Sequence, residues 1–261
     1  MVSRDTPWIL EVRWRRAYRG AVNASQEVEP RPAYFYQTAL AASALAGVAG
    51  YVNALTVAGA LHIGTTHMTG VTTRLSVDLV QARQDHLVLD LSLLIAFVLG
   101  AAVSGGVLDS TRLRLGRRYG VLLMMESAVL SLSLLLPGDP IVLRLAPLAL
   151  AAGLQNAMAT QYSRAIVRTT HMSGVLTDIG IAIGKAVARR GVTGWRLFLY
   201  LGLFFGFATG GLFGALAYTK MGHHALVVPV AITGVGGLIY FVARLRWLRR
   251  ATVPSDVAPS R

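Results

Sequence analysis

The chain contains no cysteine, which excludes disulfides, thiolate nucleophiles, cysteine zinc sites and iron–sulfur clusters. It is also short of charge: 14% of its 261 residues are Asp, Glu, Lys or Arg, against about a quarter in an ordinary soluble domain. Acidic side chains are the scarcest, 12 against 25 Lys and Arg. Paired carboxylates, a Walker loop, a GxSxG elbow and an HExxH helix are all missing. The chain therefore does not read as an enzyme, and no cofactor is expected.

What it has in quantity is apolar sequence, 54% of residues with a mean hydropathy of +0.55, collected in long runs. Such runs count membrane crossings. A net charge of +13 would suit a nucleic-acid partner. However, the arginines sit in short clusters between apolar runs, where loops facing an anionic leaflet carry them. The partner expected is the lipid bilayer, and nucleic acid is not.

Residues 1–32 are polar and rich in arginine, a cytoplasmic basic tail. Ala33 to Leu61 holds no charge and contains the first crossing. Leu87 to Leu108, Gly120 to Leu136, Ile141 to Tyr162, Leu197 to Thr219 and Ala225 to Ala243 give five more. A second basic tail, 244–261, closes the chain.

Between these runs lies a duplication. Thr65-Thr66-His67-Met68-Thr69-Gly70-Val71 recurs 104 residues later as Thr169-Thr170-His171-Met172-Ser173-Gly174-Val175. The likeness extends upstream to Gly50, Asn53 and Ala54 against Gly153, Asn156 and Ala157. A short helical stretch follows each motif, Thr69 to Ala82 and Ser173 to Ala188. At about 1.5 Å per residue the first falls well short of a ~30 Å hydrocarbon core. If both stretches enter and leave on one side, every strong arginine cluster, Arg112 to Arg118 included, faces the cytoplasm with both termini. Each copy then holds three crossings, and an odd number inverts the second copy. The expected fold is all-α: six transmembrane helices plus two short re-entrant or half helices, arranged as an inverted repeat of 33–136 and 137–243.

Irregular backbone at membrane depth survives only where protein or a water-filled cavity satisfies it. Thr69 and Ser173, each followed by glycine, are candidate N-caps, with Gly70 and Gly174 permitting close approach. Two half-helix starts facing each other would turn their positive ends toward a central solute, and an anion would suit them. His67 and His171 are candidate solute contacts or proton carriers, or they only brace the turn. Two histidines without cysteine make a weak metal signature, so no metal site is expected. Asn53 and Asn156 either line the same cavity or cap their own helices. Arg74 and Asp178 hold equivalent positions, each seven residues after its motif histidine, and suggest a midplane ion pair. Glu126, near the middle of its run, is the candidate coupling carboxylate, or a protonated group bonded between helices. Gly202, Gly206, Gly210 and Gly214 line one helix face, a packing seam in the bundle before a homo-oligomer contact.

The second copy, Arg168 through Gly184 with Gly153 to Ala157, resembles the signature of the YoaK-like family of bacterial membrane proteins, over roughly residues 35 to 245. The resemblance implies six crossings of the bacterial cytoplasmic membrane and brings no substrate. Relatives often carry Asn after the Thr-Gly pair, where Val71 and Val175 stand here, and Ser173 replaces Thr. The expected function is a secondary transporter or facilitator of a small solute, an anion being one class; the alternative is a non-transporting scaffold or regulator.

Overall fold

The computed structural model describes residues 32–59, 62–108, 116–137, 139–162 and 169–251. The basic leader, Asp109, Arg112, Arg114, Arg164, Arg168 and the last ten residues lie outside the described residues. Packing divides the chain between Gln37 and Thr38, and the following concerns the unit from Thr38 onward.

All regular secondary structure among the described residues is helical. In chain order they form α1 (Pro32–Ala58), α2 (Met68–Val80), α3 (Gln84–Val107), α4 (Arg117–Leu135), α5 (Val142–Tyr162), α6 (Met172–Val187), α7 (Gly194–Met221), a 3₁₀ turn (Gly222–Leu226) and α8 (Val227–Ala251). Five stretches are long and apolar enough to cross a membrane: 36–58, 84–107, 117–135, 142–161 and 194–246. The last runs to 53 residues, about 80 Å if straight, but Gly222, with φ +56°, opens the 3₁₀ turn that separates α7 from α8. At 13 and 16 residues, α2 and α6 would each extend no more than about 24 Å. Both end alike. Ala82 and Arg189 take left-handed backbone (φ 53° and 52°). The next amide then reaches back to Asp78 O or Lys185 O, the bond that closes a Schellman cap.

The distribution of polarity is that of a membrane protein. Leu91, Ile95, Val98 and Leu99 on α3 and Leu212, Phe213 and Leu216 on α7 are exposed, whereas Asp90, Ser104, Glu126, Ser133, Gln155 and Thr233 are buried. Apolar surface on this scale needs lipid to cover it. The chain is therefore a helical protein suited to a multi-pass place in the bilayer.

Without large hydrophobic gain between helices in lipid, small residues that admit close backbone contact decide which helices pair. A Cβ on Gly50 would overlap the Phe207 carbonyl, and one on Gly153 would overlap the Phe97 carbonyl. Likewise Gly210 lies against the Gly47 carbonyl, and Gly100 against that of Leu150. The stripe Gly202, Gly206, Gly210 and Gly214 is the seam that receives Ser43, Gly47 and Tyr51 of α1. Contacts advance together along α1 and α7 (Ser43 with Gly202, Tyr51 with Gly214), so these helices run parallel. Those of α4 and α8 run in opposite senses: Gly120 meets Gly237 and Ser127 Oγ donates to Val230 O at 2.8 Å. α4 and α5 are antiparallel too, Leu122 packing on Leu154 and Met158 while Ser133 Oγ donates to Arg144 O.

Candidate functional site

The two motifs begin α2 and α6, and the histidines themselves occupy the cap positions. His67 (φ −113°, ψ 81°) and His171 (φ −92°, ψ 64°) lie outside helical geometry, and neither makes a side-chain cap bond. The Gly70 and Val71 amides turn back to His67 O, and that of Val175 to His171 O. Thr69 and Ser173 consequently sit inside the first turn, where their carbonyls accept from Thr73 and Thr177 hydroxyls. The N-cap role expected of them is corrected: the caps are His67 and His171, and the helical bonds start two residues earlier than the hydroxyl pattern implied.

In the first copy a closed network forms. The Thr66 hydroxyl donates to Asn53 Oδ1 at 2.8 Å, and His67 Nδ1 lies 3.2 Å from that oxygen and 3.0 Å from Thr66 Oγ1. Asn53 Oδ1 only accepts, so in the neutral ring the proton is on Nδ1 and Nε2 keeps its lone pair. Gly64 admits the amide: a Cβ there would stand 2.8 Å from Asn53 Oδ1. The imidazole meets Phe207 edge to face, with ring centres 5.4 Å apart and planes at 88°. His67 also lies within electrostatic range of His171, so the two motifs are neighbours.

The second copy is built differently. His171 is exposed and folds over Gly174, where a Cβ would overlap the ring. Gly70 has nothing within 4 Å among the described residues, whereas Gly174 lies under the ring of its own cap residue, His171. Asn156 Oδ1 and Thr169 Oγ1, counterparts of Asn53 Oδ1 and Thr65 Oγ1, are buried without a hydrogen-bond partner among the described residues. Leaving such a group unpaired costs about 1–3 kcal/mol. Beside Asn156, Gln155 is 2% exposed, and its Nε2 donates to Leu45 O at 2.7 Å, tying α5 to α1.

The charged residues pair otherwise than their spacing suggests. Arg74 is held by Asp90, Nε donating to Oδ2 at 3.0 Å and Nη2 to Oδ1. The Arg74–Asp178 pair expected from the spacing is thus corrected, because each short helix folds against the long helix that follows it. Asp178 instead lies near Tyr200 of α7, as does Arg196. Asp78, 1% exposed, faces Arg83 at 3.7 Å and His86 at 3.4 Å. Glu126 is 2% exposed at the midpoint of α4, and its Oε2 has no hydrogen-bond partner among the described residues. No group of three or more His, Asp or Glu is arranged for a metal among the described residues.

A family model described as "Protein of unknown function (DUF1275)" matches residues 41–239. The chain belongs to the DUF1275 family. The match spans α1 to α8 and includes both motifs, which agrees with the resemblance to an uncharacterised family. No curated protein and no solved structure matches the chain. Family membership therefore brings no substrate, and the function has to be argued from the site.

Proposed function

We propose that this DUF1275 protein is a secondary transporter or facilitator of a small solute, held between two inverted repeats in the bacterial cytoplasmic membrane. The observation that carries the proposal is that each motif opens a half-length helix capped by its histidine, with His67 within electrostatic range of His171. Irregular turns that open half-length helices inside a bundle are a recurrent way to build a solute site in transporters.

The helix directions support six crossings. With α2 and α6 re-entrant, α1 and α7 run one way and α4 opposes both α5 and α8, which matches every close contact described above. If both short helices crossed fully, α4 and α8 would run parallel, contrary to Gly120 meeting Gly237 and Ser127 meeting Val230. Pseudo-twofold pairing supports the inversion: Gly50 on Phe207 mirrors Gly153 on Phe97, and Gly210 on Gly47 mirrors Gly100 on Leu150. Positive-inside counting then puts both termini and the arginine loop before α4 in the cytoplasm.

In this scheme Glu126 is the coupling carboxylate. A buried acid without a partner is expensive to ionise, so it holds its proton until rearrangement gives it water or a cation. The competing scaffold reading expects motif variants to alter folding alone.

The test is protein-dependent osmotic swelling of proteoliposomes against a panel of small polyols, amines and carboxylates. Swelling with one class, lost in His67→Ala and His171→Ala proteins that still elute as folded species, is the expected result. Swelling no faster than in empty liposomes for every class, in a folded protein, contradicts transport.

A further inference from the structure

We infer that the site recognises a donor-bearing group, a hydroxyl or a primary ammonium, rather than an anion. The inference rests on the transport reading and narrows its substrate class.

Three groups of the motif networks offer lone pairs. Asn53 fixes the His67 proton on Nδ1, which leaves Nε2 an acceptor. In the second copy Asn156 Oδ1 and the Thr169 hydroxyl oxygen are buried and hold no hydrogen bond among the described residues, although Thr169 is 0% exposed. Their counterparts in the first copy are engaged: Asn53 Oδ1 receives Thr66 and His67, and Thr65 Oγ1 lies 3.5 Å from Thr56 Oγ1. Nearly the same seven residues are therefore satisfied from within the chain in one copy and not in the other. A group bearing several polar hydrogens supplies what the second copy lacks.

Charge points the same way. An anion needs a cation or a set of free donors. The guanidinium nearest the first motif in sequence, Arg74, is committed to Asp90 through both arms. In the second copy the corresponding place carries an acid, Asp178. The half-helix amides alone favour negative charge, but the unpaired Asn156 Oδ1 can only accept, and the Thr169 oxygen beside its own proton has lone pairs to receive a hydrogen. A hydroxyl offers one and an ammonium three.

The experiment is thermal unfolding of the purified full-length protein in detergent with four probes: erythritol and methylammonium, which carry donors, and tetramethylammonium and acetate, which carry none. A rise in Tm with erythritol or methylammonium, and none with the other two, is expected, since a ligand of the native state raises apparent stability. A rise with erythritol alone assigns a polyol, and one with methylammonium alone an amine. The shift should vanish in Thr169→Val, which keeps the shape and removes an unpaired hydroxyl and so should fold, and in Asn156→Leu. A rise with acetate, a rise with tetramethylammonium equal to that with methylammonium, a shift surviving both substitutions, or no rise with any probe overturns the inference. Swelling with carboxylates alone would then keep transport while discarding the donor class.

Discussion

Arg74 and Asp90 are joined by two charge-assisted hydrogen bonds that fasten the short helix α2 to the long helix α3. Asp90 is fully buried and Arg74 about a quarter exposed on its side chain (0% and 28%). Asp178 of α6 and Tyr200 of α7 lie near each other in the second copy. The correspondence holds residue by residue, since Asp90 and Tyr200 stand at the same step from the starts of α3 and α7.

Breaking a buried pair costs more than the pair contributes, because the remaining charge is left uncompensated. Arg74→Ala should destabilise the protein by about 3 kcal/mol, and Asp90→Asn added to it should recover part. Tyr200→Phe, which breaks no ion pair, should cost less. Chemical unfolding in detergent checks all three, and an additive double-mutant cycle for Arg74 and Asp90 would contradict the pairing.

The glycines separate into two groups with opposite expectations. Gly50→Ala and Gly153→Ala drive a methyl into a carbonyl of the partner helix and should each cost about 1–3 kcal/mol. Gly70→Ala meets open space inside a helix and should stabilise by up to about 1 kcal/mol. Equal losses of Tm at all three positions would contradict the seams described.

Glu126 offers a test in which stability and function move apart. Replacing a buried, unpartnered acid by Leu should raise stability by about 1–3 kcal/mol, yet abolish any flux driven by a proton gradient. Glu126→Gln should behave similarly for flux. A Leu variant that is less stable than wild type would mean that the carboxyl has a partner after all.

The long helices were legible because charge-free runs leave little choice of structure: α1, α3, α4, α5, α7 and α8 fall on the runs read from the sequence. The short helices were legible too, as their lengths follow from the motif and the next charged stretch. The partner of Arg74 was not. The two copies keep a spacing of 104 through the motif, but α6 and its connection are longer than α2 and its own, so Asp90 aligns with Tyr200 only after a shift. Likewise Gln155 and Phe207 carry no motif signal, and the motif does not say what Thr66 bonds: their partners come from which helices meet, and close glycine contacts decide that.

The claim on which the account depends most is that the two copies enter the membrane from opposite sides with α2 and α6 re-entrant. Because the chain has no cysteine, single cysteines placed at Gly116, Asp139 and His224 can be probed in intact cells with a membrane-impermeant thiol reagent. Labelling from outside at Asp139→Cys and His224→Cys, and at Gly116→Cys only after the membrane is opened, is the expected result. Labelling of Gly116→Cys from outside, with Asp139→Cys protected, would mean that the short helices cross fully and would contradict the inverted arrangement.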